Sequence, residues 1–273
     1  MKKKSGICPG RSHKFMRLKV LMPLFGILLF FSACSTMHKS RTPLPESNIK
    51  AKRFIENILK INHKLETFQG VGKFRLRNKQ GALTSRAAWI GDKKGKLRIE
   101  VLGPGGRSRA GFAADGKWFY AITHNPLRFH KMHSKNASLN SLISIPIKID
   151  DFHSLLAGKI PVYPYHSAFV IPDNSSNGYV LVLKKRWMGT VEKIFMDDTG
   201  SKVRKLKMFN TGGVLAYSVV FQDCTTVQGY RVPSKLLISD AADVTFDLEI
   251  HKFKADIKLT DSAFVLKQPE SLK

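Results

Sequence analysis

The sequence predicts a mainly β protein, an α+β chain built on one large antiparallel sheet with two or three helices. Three observations predict it. From Phe68 onward, apolar residues recur at every second position over run after run, with Lys and Arg between many of them. Glycine, proline, asparagine and aspartate punctuate these runs at short intervals. Only a few stretches carry the three-and-four spacing of a helix.

The chain opens on seven basic residues within its first nineteen (Lys2, Lys3, Lys4, Arg11, Lys14, Arg17, Lys19) and no acid. An apolar run from Val20 to Ala33 follows. As a helix it would reach about 21 Å, short of the ~30 Å hydrocarbon core, so it reads as an export signal and not as a transmembrane anchor. The run ends Phe31-Ser32-Ala33-Cys34-Ser35. This resembles the lipobox of bacterial lipoproteins, with Phe31 where the usual residue is Leu. The resemblance implies cleavage before Cys34 and acylation of that cysteine. Ser35, in place of the Asp that retains such proteins in the inner membrane, implies delivery to the outer membrane. An ordinary secreted protein with an incidental cysteine is the competing reading. Met16 could serve as the start in place of Met1. Either way Cys8 leaves with the leader, Cys34 is acylated, and Cys224 has no partner for a disulfide.

The resulting division is a signal over 1–33, a lipidated tether over 34–47 and one domain over 48–270. Pro43 and Pro45 mark the tether. Ser47 is positioned to cap a helix over 48–65, whose apolar positions are Ala51, Phe54, Ile55, Ile58 and Leu59. Alternation then places strands over 68–76, 83–90 and 97–101, with turns at 78–81, 91–95 and 103–106. Further strands fall near 108–114, 117–123 and 127–132. Residues 137–145 suggest a helical turn or two. Asp150 stands as the cap of a helix over 151–157 that Gly158 ends. Strands resume near 168–171, 179–186, 190–197, 202–209, 215–223, 231–239, 243–250 and 253–259. The pattern gives an antiparallel meander with one apolar and one basic face.

Composition narrows the function. At 43% apolar residues the chain is no disordered basic tail, and a mean hydropathy of −0.16 excludes a polytopic membrane protein. The net charge of +26 calls for an anionic partner. Removing the leader takes seven of those charges, and the rest are spread over many strands of an exported chain, which excludes nucleic acid. No catalytic constellation is present. Gly106-Arg107-Ser108-Arg109-Ala110 precedes a strand where a nucleophile elbow needs a helix, and Gly103, Gly105 and Gly106 fail the dinucleotide pattern for the same reason. His130 and His133 have no carboxylate or thiol company for a metal. Asp150-Asp151 and Asp197-Asp198 read as a cap and a turn. The chain is expected to be no enzyme and to hold no metal or cofactor.

Phe74, Trp89, Leu97, Ile99, Val101, Phe112 and Trp118 are large apolar side chains on consecutive strands. With only two or three helices to cover them, the sheet holds either a packed core or a cavity.

The order of elements resembles the LolB family of outer-membrane lipoprotein receptors, in the wider LolA/LolB superfamily. The residues that carry it are Gly70-Val71-Gly72-Lys73-Phe74, Lys96-Leu97-Arg98-Ile99-Glu100-Val101 before a Gly-Pro turn, and 151–161 as the central helix. Gly229-Tyr230-Arg231-Val232-Pro233-Ser234-Lys235-Leu236 and the ending Phe264-Val265-Leu266-Lys267-Gln268-Pro269 complete it. The resemblance implies an open, incomplete β-barrel with a lid of two or three helices. Its apolar cavity would hold the acyl chains of lipoproteins, taken from a soluble periplasmic carrier and released into the outer membrane by a monomer on its periplasmic face. It also implies a membrane-insertion loop at Leu102, Gly103, Pro104 and Gly105. There the family carries an exposed Leu after Asn-Pro and this chain has Gly105. A scaffold lipoprotein of the same fold, holding another lipid or a partner protein, is the alternative.

Overall fold

A computed structural model describes residues 46–134 and 137–272. The leader, Cys34 and the tether as far as Pro45 lie outside the described residues.

The alternation does what it predicts. Thirteen strands run β1 (Thr67–Asn78), β2 (Gly81–Asp92), β3 (Leu97–Leu102), β4 (Ser108–Ala114), β5 (Trp118–His124) and β6 (Leu127–His133), then β7 (Ser167–Asp173), β8 (Gly178–Lys185), β9 (Gly189–Met196), β10 (Val203–Phe209), β11 (Leu215–Val227), β12 (Tyr230–Ser239) and β13 (Thr245–Ala255). They form one sheet in the order β6-β5-β4-β3-β2-β1-β13-β12-β11-β10-β9-β8-β7. Two meanders are thus joined where β1 pairs with β13, and the edges β6 and β7 do not meet. The sheet is a barrel left open.

The two strands expected over 243–250 and 253–259 are one strand. In β13, Val71 of β1 faces Lys252 and Gly72 faces Ile250, so His251 is the extra residue of a bulge. The bulge moves the inward residues from Phe246 and Leu248 to Phe253 and Ala255, a change of phase that mimics a strand break in the sequence.

Helix α1 (Glu46–Lys60) packs against β7, with Ala51, Phe54, Ile55 and Ile58 buried. Ser47 is its second residue and not its cap. The helix stops five residues short of the expected end because Asn62 takes a left-handed φ of 51°. Its amide donates to the carbonyls of Ala157 (2.9 Å) and Arg231 (2.7 Å) while its Oδ1 accepts from the Arg231 N–H (2.9 Å). Leu59 is exposed.

Helices α2 (Asn140–Ile143) and α3 (Ile149–Leu156) cross the inner face. Asp150 lies inside α3, whose cap position is Lys148. On α3, Phe152 meets Phe246 edge-on at 5.9 Å and His153 meets Phe68 at 5.3 Å.

The outer face is not wholly wet. The C-terminal segment returns over β3–β5: Phe264 is buried, Lys96 pairs with Asp261 (2.6 Å), and Leu266 joins Ala113, Tyr120 and Ile122 in a second apolar cluster.

Candidate functional site

Between β1–β4, β13 and the two central helices lies a cavity of about 220 Å³. Every side chain lining it is apolar. Phe74, Leu76, Leu83, Ala87, Trp89, Ile99, Val101, Ala110 and Phe112 come from the first meander, and Phe246 and Leu248 from β13. Leu139, Leu142, Ile143, Phe152 and Leu156 come from the helical segment above. Five of the seven residues read from the sequence as one apolar face therefore converge here. Leu97 is next door, fully buried among Ala114, Phe119 and Ile149 in the packed wall.

Trp118 is not at the cavity. Phe112 pairs with Ala121 and Ala114 with Phe119, so alternation turns Trp118 to the outer face. There it rests against His133 (4.3 Å between rings) with the Lys131 ammonium 4.5 Å from its ring. It could be mistaken for an inner residue because the outer face of β4–β6 is itself apolar beneath the C-terminal segment. His130 and His133, three apart on β6, point to opposite faces.

The glycines of β1 make room for the cavity wall. Gly70 sits opposite Trp89 in register, and a Cβ there would lie 2.2 Å from the indole. A Cβ on Gly72 would lie 2.2 Å from the Glu249 carbonyl oxygen of β13 and 3.2 Å from the same indole. Backbone cannot yield as a flexible side chain can. Gly72→Ala is therefore expected to cost roughly 2–3 kcal/mol and to lower the melting temperature by roughly 5–10 °C, as followed by circular dichroism. An unchanged melting temperature would mean that β1 and β13 separate freely at this point.

Two residues missed in the sequence come from the far end of the chain. Phe246 and Leu248 reach the cavity because Leu76 pairs with Phe246 and Phe74 with Leu248, a long-range pairing with no local signal. Leu139, Leu142 and Ile143 were legible as apolar helical positions but not as a roof.

The two helices of the roof are held differently. On α3, Asp151 Oδ2 accepts the hydroxyls of Tyr163 (2.7 Å) and Tyr217 (2.8 Å), and His153 Nε2 bonds the Asp92 carbonyl (2.8 Å). Burial pushes the Asp151 carboxyl up and the His153 imidazole down from their ordinary values. Behind them Glu192 is fully buried, with Oε2 accepting the Tyr163 N–H (2.8 Å) and Oε1 unpartnered among the described residues. Burial, with Asp151 adding to it, pushes Glu192 up to about 8. On α2, one turn long, Ser138 Oγ accepts the N–H of the first residue, Asn140, at 3.2 Å, and Ser144 ends the helix at a φ of 58°. Leu142 and Ile143 are only partly buried.

A larger hollow of about 500 Å³ lies between the helical segment and β8–β11. Lys148, Lys185, Asn210 and Thr211 stand in its wall, so it offers no continuous apolar surface. The expected insertion loop is exposed at its tip. Leu102 ends β3 opposite Ser108, and Pro104–Gly106 form a single 3-10 turn with Gly105 at φ 71°. No large apolar side chain stands at its tip.

No family model matches the sequence, and no curated protein does. Solved structures match the fold. A LolA superfamily protein from Nitrosomonas europaea has a TM-score of 0.56 at 13% identity, over 79% of this chain and 97% of that one. A domain assigned to outer-membrane lipoprotein sorting from Vibrio parahaemolyticus has a TM-score of 0.54 at 12% identity, over 78% and 97%. A DUF1329 family protein from Desulfovibrio piger has a TM-score of 0.56 at 9% identity, over 80% and 97%. Identities this low speak to architecture and not to activity. The chain has the unclosed, helix-roofed sheet of the LolA superfamily structures.

Proposed function

We propose that this is a lipid-anchored acyl-chain binder, held at the periplasmic face of the outer membrane through Cys34, which takes lipoproteins from a soluble carrier and delivers them to that membrane. The observation that carries this reading is the wholly apolar lining of the cavity under α2 and α3. A hydrocarbon chain needs such a surface, and each methylene moved into it from water contributes about 0.8 kcal/mol. The Vibrio parahaemolyticus neighbour, assigned to lipoprotein sorting, supports the same reading by analogy of fold. No bond is made or broken. Transfer would run toward whichever site holds the acyl chains more tightly.

The cavity's 220 Å³ is below the roughly 300–1,000 Å³ of a pocket that encloses a drug-sized ligand. A long acyl chain would therefore need more room than the cavity offers, beneath a roof whose α3 is held by Asp151 and His153. That same small volume favours the second reading, a scaffold lipoprotein of this fold whose interior stays packed.

One experiment separates the two. The protein from Ser35 onward is purified, its lipids are extracted and weighed by mass spectrometry, and it is offered a lipoprotein bound to a soluble carrier. Co-purified acyl lipid and uptake of the lipoprotein are expected. Neither lipid nor uptake would leave the scaffold reading. Phe112→Glu, which places a carboxylate in the cavity wall, is expected to abolish uptake. Uptake at the wild-type level in that variant would mean that the acyl chains sit elsewhere.

A further inference from the structure

The most exposed large apolar side chain among the described residues is Trp187, 94% exposed in the turn between β8 and β9. It holds a left-handed φ of 66°, a conformation that is strained for a bulky residue. No packing offsets that strain. Lys184, Lys185 and Arg186 precede it, all exposed, and the chain carries no acid between Asp173 and the buried Glu192.

The turn has neighbours of the same kind. One surface hollow is lined jointly by Trp187 and Gly212–Gly213, which sets the β10–β11 turn beside it, with Val214 60% exposed. The His166 N–H donates to the Lys184 carbonyl (2.7 Å), which brings the half-exposed Tyr165 alongside. In an antiparallel sheet these turns share an end with those at 79–80 and 103–107, and so with Leu83 at the cavity's edge.

We propose that the Trp187 hairpin docks this rim into the headgroup region of an anionic phospholipid bilayer, so that the cavity's edge faces the membrane. The argument is one of complementarity. Trp and Tyr partition to the headgroup level, where the ring is buried and its N–H or O–H stays wet. Lys and Arg beside them are drawn to an anionic surface. A protein partner would need a packed apolar centre with a polar rim. Here the apolar tips stand on separate segments, with Lys184, Lys185 and Arg186 beside Trp187, and form no packed centre. The docking stands whether or not the cavity takes acyl chains.

The test uses the full chain with vesicles of phosphatidylcholine alone or mixed with phosphatidylglycerol, each with brominated acyl chains. Subtracting the Trp187→Phe spectrum isolates Trp187 from Trp89 and Trp118. With phosphatidylglycerol, its emission is expected to shift to the blue and to be quenched by bromine. With phosphatidylcholine alone, and in a Lys185→Gln/Arg186→Gln variant, it should stay unquenched at its aqueous wavelength. Amide exchange of residues 185–189 in the unmodified protein gives a second readout that needs no variant, and should slow only on the anionic vesicles. An indole that remains aqueous on those vesicles, or that inserts equally into both kinds, would overturn the proposal. Acyl uptake by the cavity moves neither readout, so this failure is distinct from failure of the acyl-chain reading.

Discussion

Ala110→Trp is expected to abolish acyl-chain binding while leaving the fold at least as stable. Ala110 lies on β4 opposite Val101 and Thr123, half-exposed in the wall of the cavity. An indole there fills space that the wild type leaves empty. If it keeps only four methylenes of a ligand in water, at ~0.8 kcal/mol each, affinity falls about two-hundred-fold. The new side chain buries apolar surface of its own, which offsets the strain of a tighter fit, so the melting temperature should hold or rise. Titration with a fluorescent fatty acid reads the affinity, and thermal unfolding reads the fold. Ala82→Trp, at an exposed position on β2 facing Arg77, is the control and should bind as the wild type does. If Ala110→Trp binds normally, the ligand lies outside this cavity.

The contrast between Phe112 and Phe246 shows what was legible in the chain. The inner face of β1–β4 could be read from alternation alone, because each strand pairs with the next through a short turn and the phase of one hairpin sets the other. Phe74, Trp89, Ile99, Val101 and Phe112 were found in this way. Phe246 and Leu248 were not, because their place depends on β13 pairing with β1 across nearly the whole domain. His251 hid them further, since its bulge reverses the phase within one strand. Trp118 went to the wrong face for a third reason. Alternation tells two faces apart only when one is polar, and the C-terminal segment around Leu266 makes the outer face apolar there. The displaced helix starts belong to local chemistry: α3 begins before Asp150, not at it, and α1 before Ser47. None of these local errors moved the architecture, because the register of the central hairpins carries most of it.

Glu192→Gln is expected to remove the loss of stability that the wild type suffers as pH rises toward 8, and so to stabilise the protein at alkaline pH. Glu192 is fully buried on β9, with one oxygen on the Tyr163 N–H and the other unpartnered among the described residues. The other titratable groups bearing on it are Asp151 and the hydroxyls of Tyr163 and Tyr217, while Lys148 and Asp150 act in turn on Asp151. Burial and the Asp151 charge raise its folded value to about 8, whereas the unfolded chain titrates near ~4.3. The folded state thus holds a proton that the unfolded state has lost. The stability tied to that proton is complete below about pH 4, falls as pH rises toward 8, and is gone above it. At ~1.4 kcal/mol per unit, the loss is on the order of a few kcal/mol. Glutamine keeps the shape and the acceptor for Tyr163 but never ionises. Its melting temperature should therefore lack the alkaline decline due to Glu192, the two proteins diverging by roughly 5–15 °C at pH 8.5. The same cluster ties α3 to β11 through Asp151 and Tyr217, so ionisation of Glu192 bears on the roof of the cavity. Parallel declines in the two proteins would place the proton on Asp151 instead, and Asp151→Asn would then be the variant that flattens the curve.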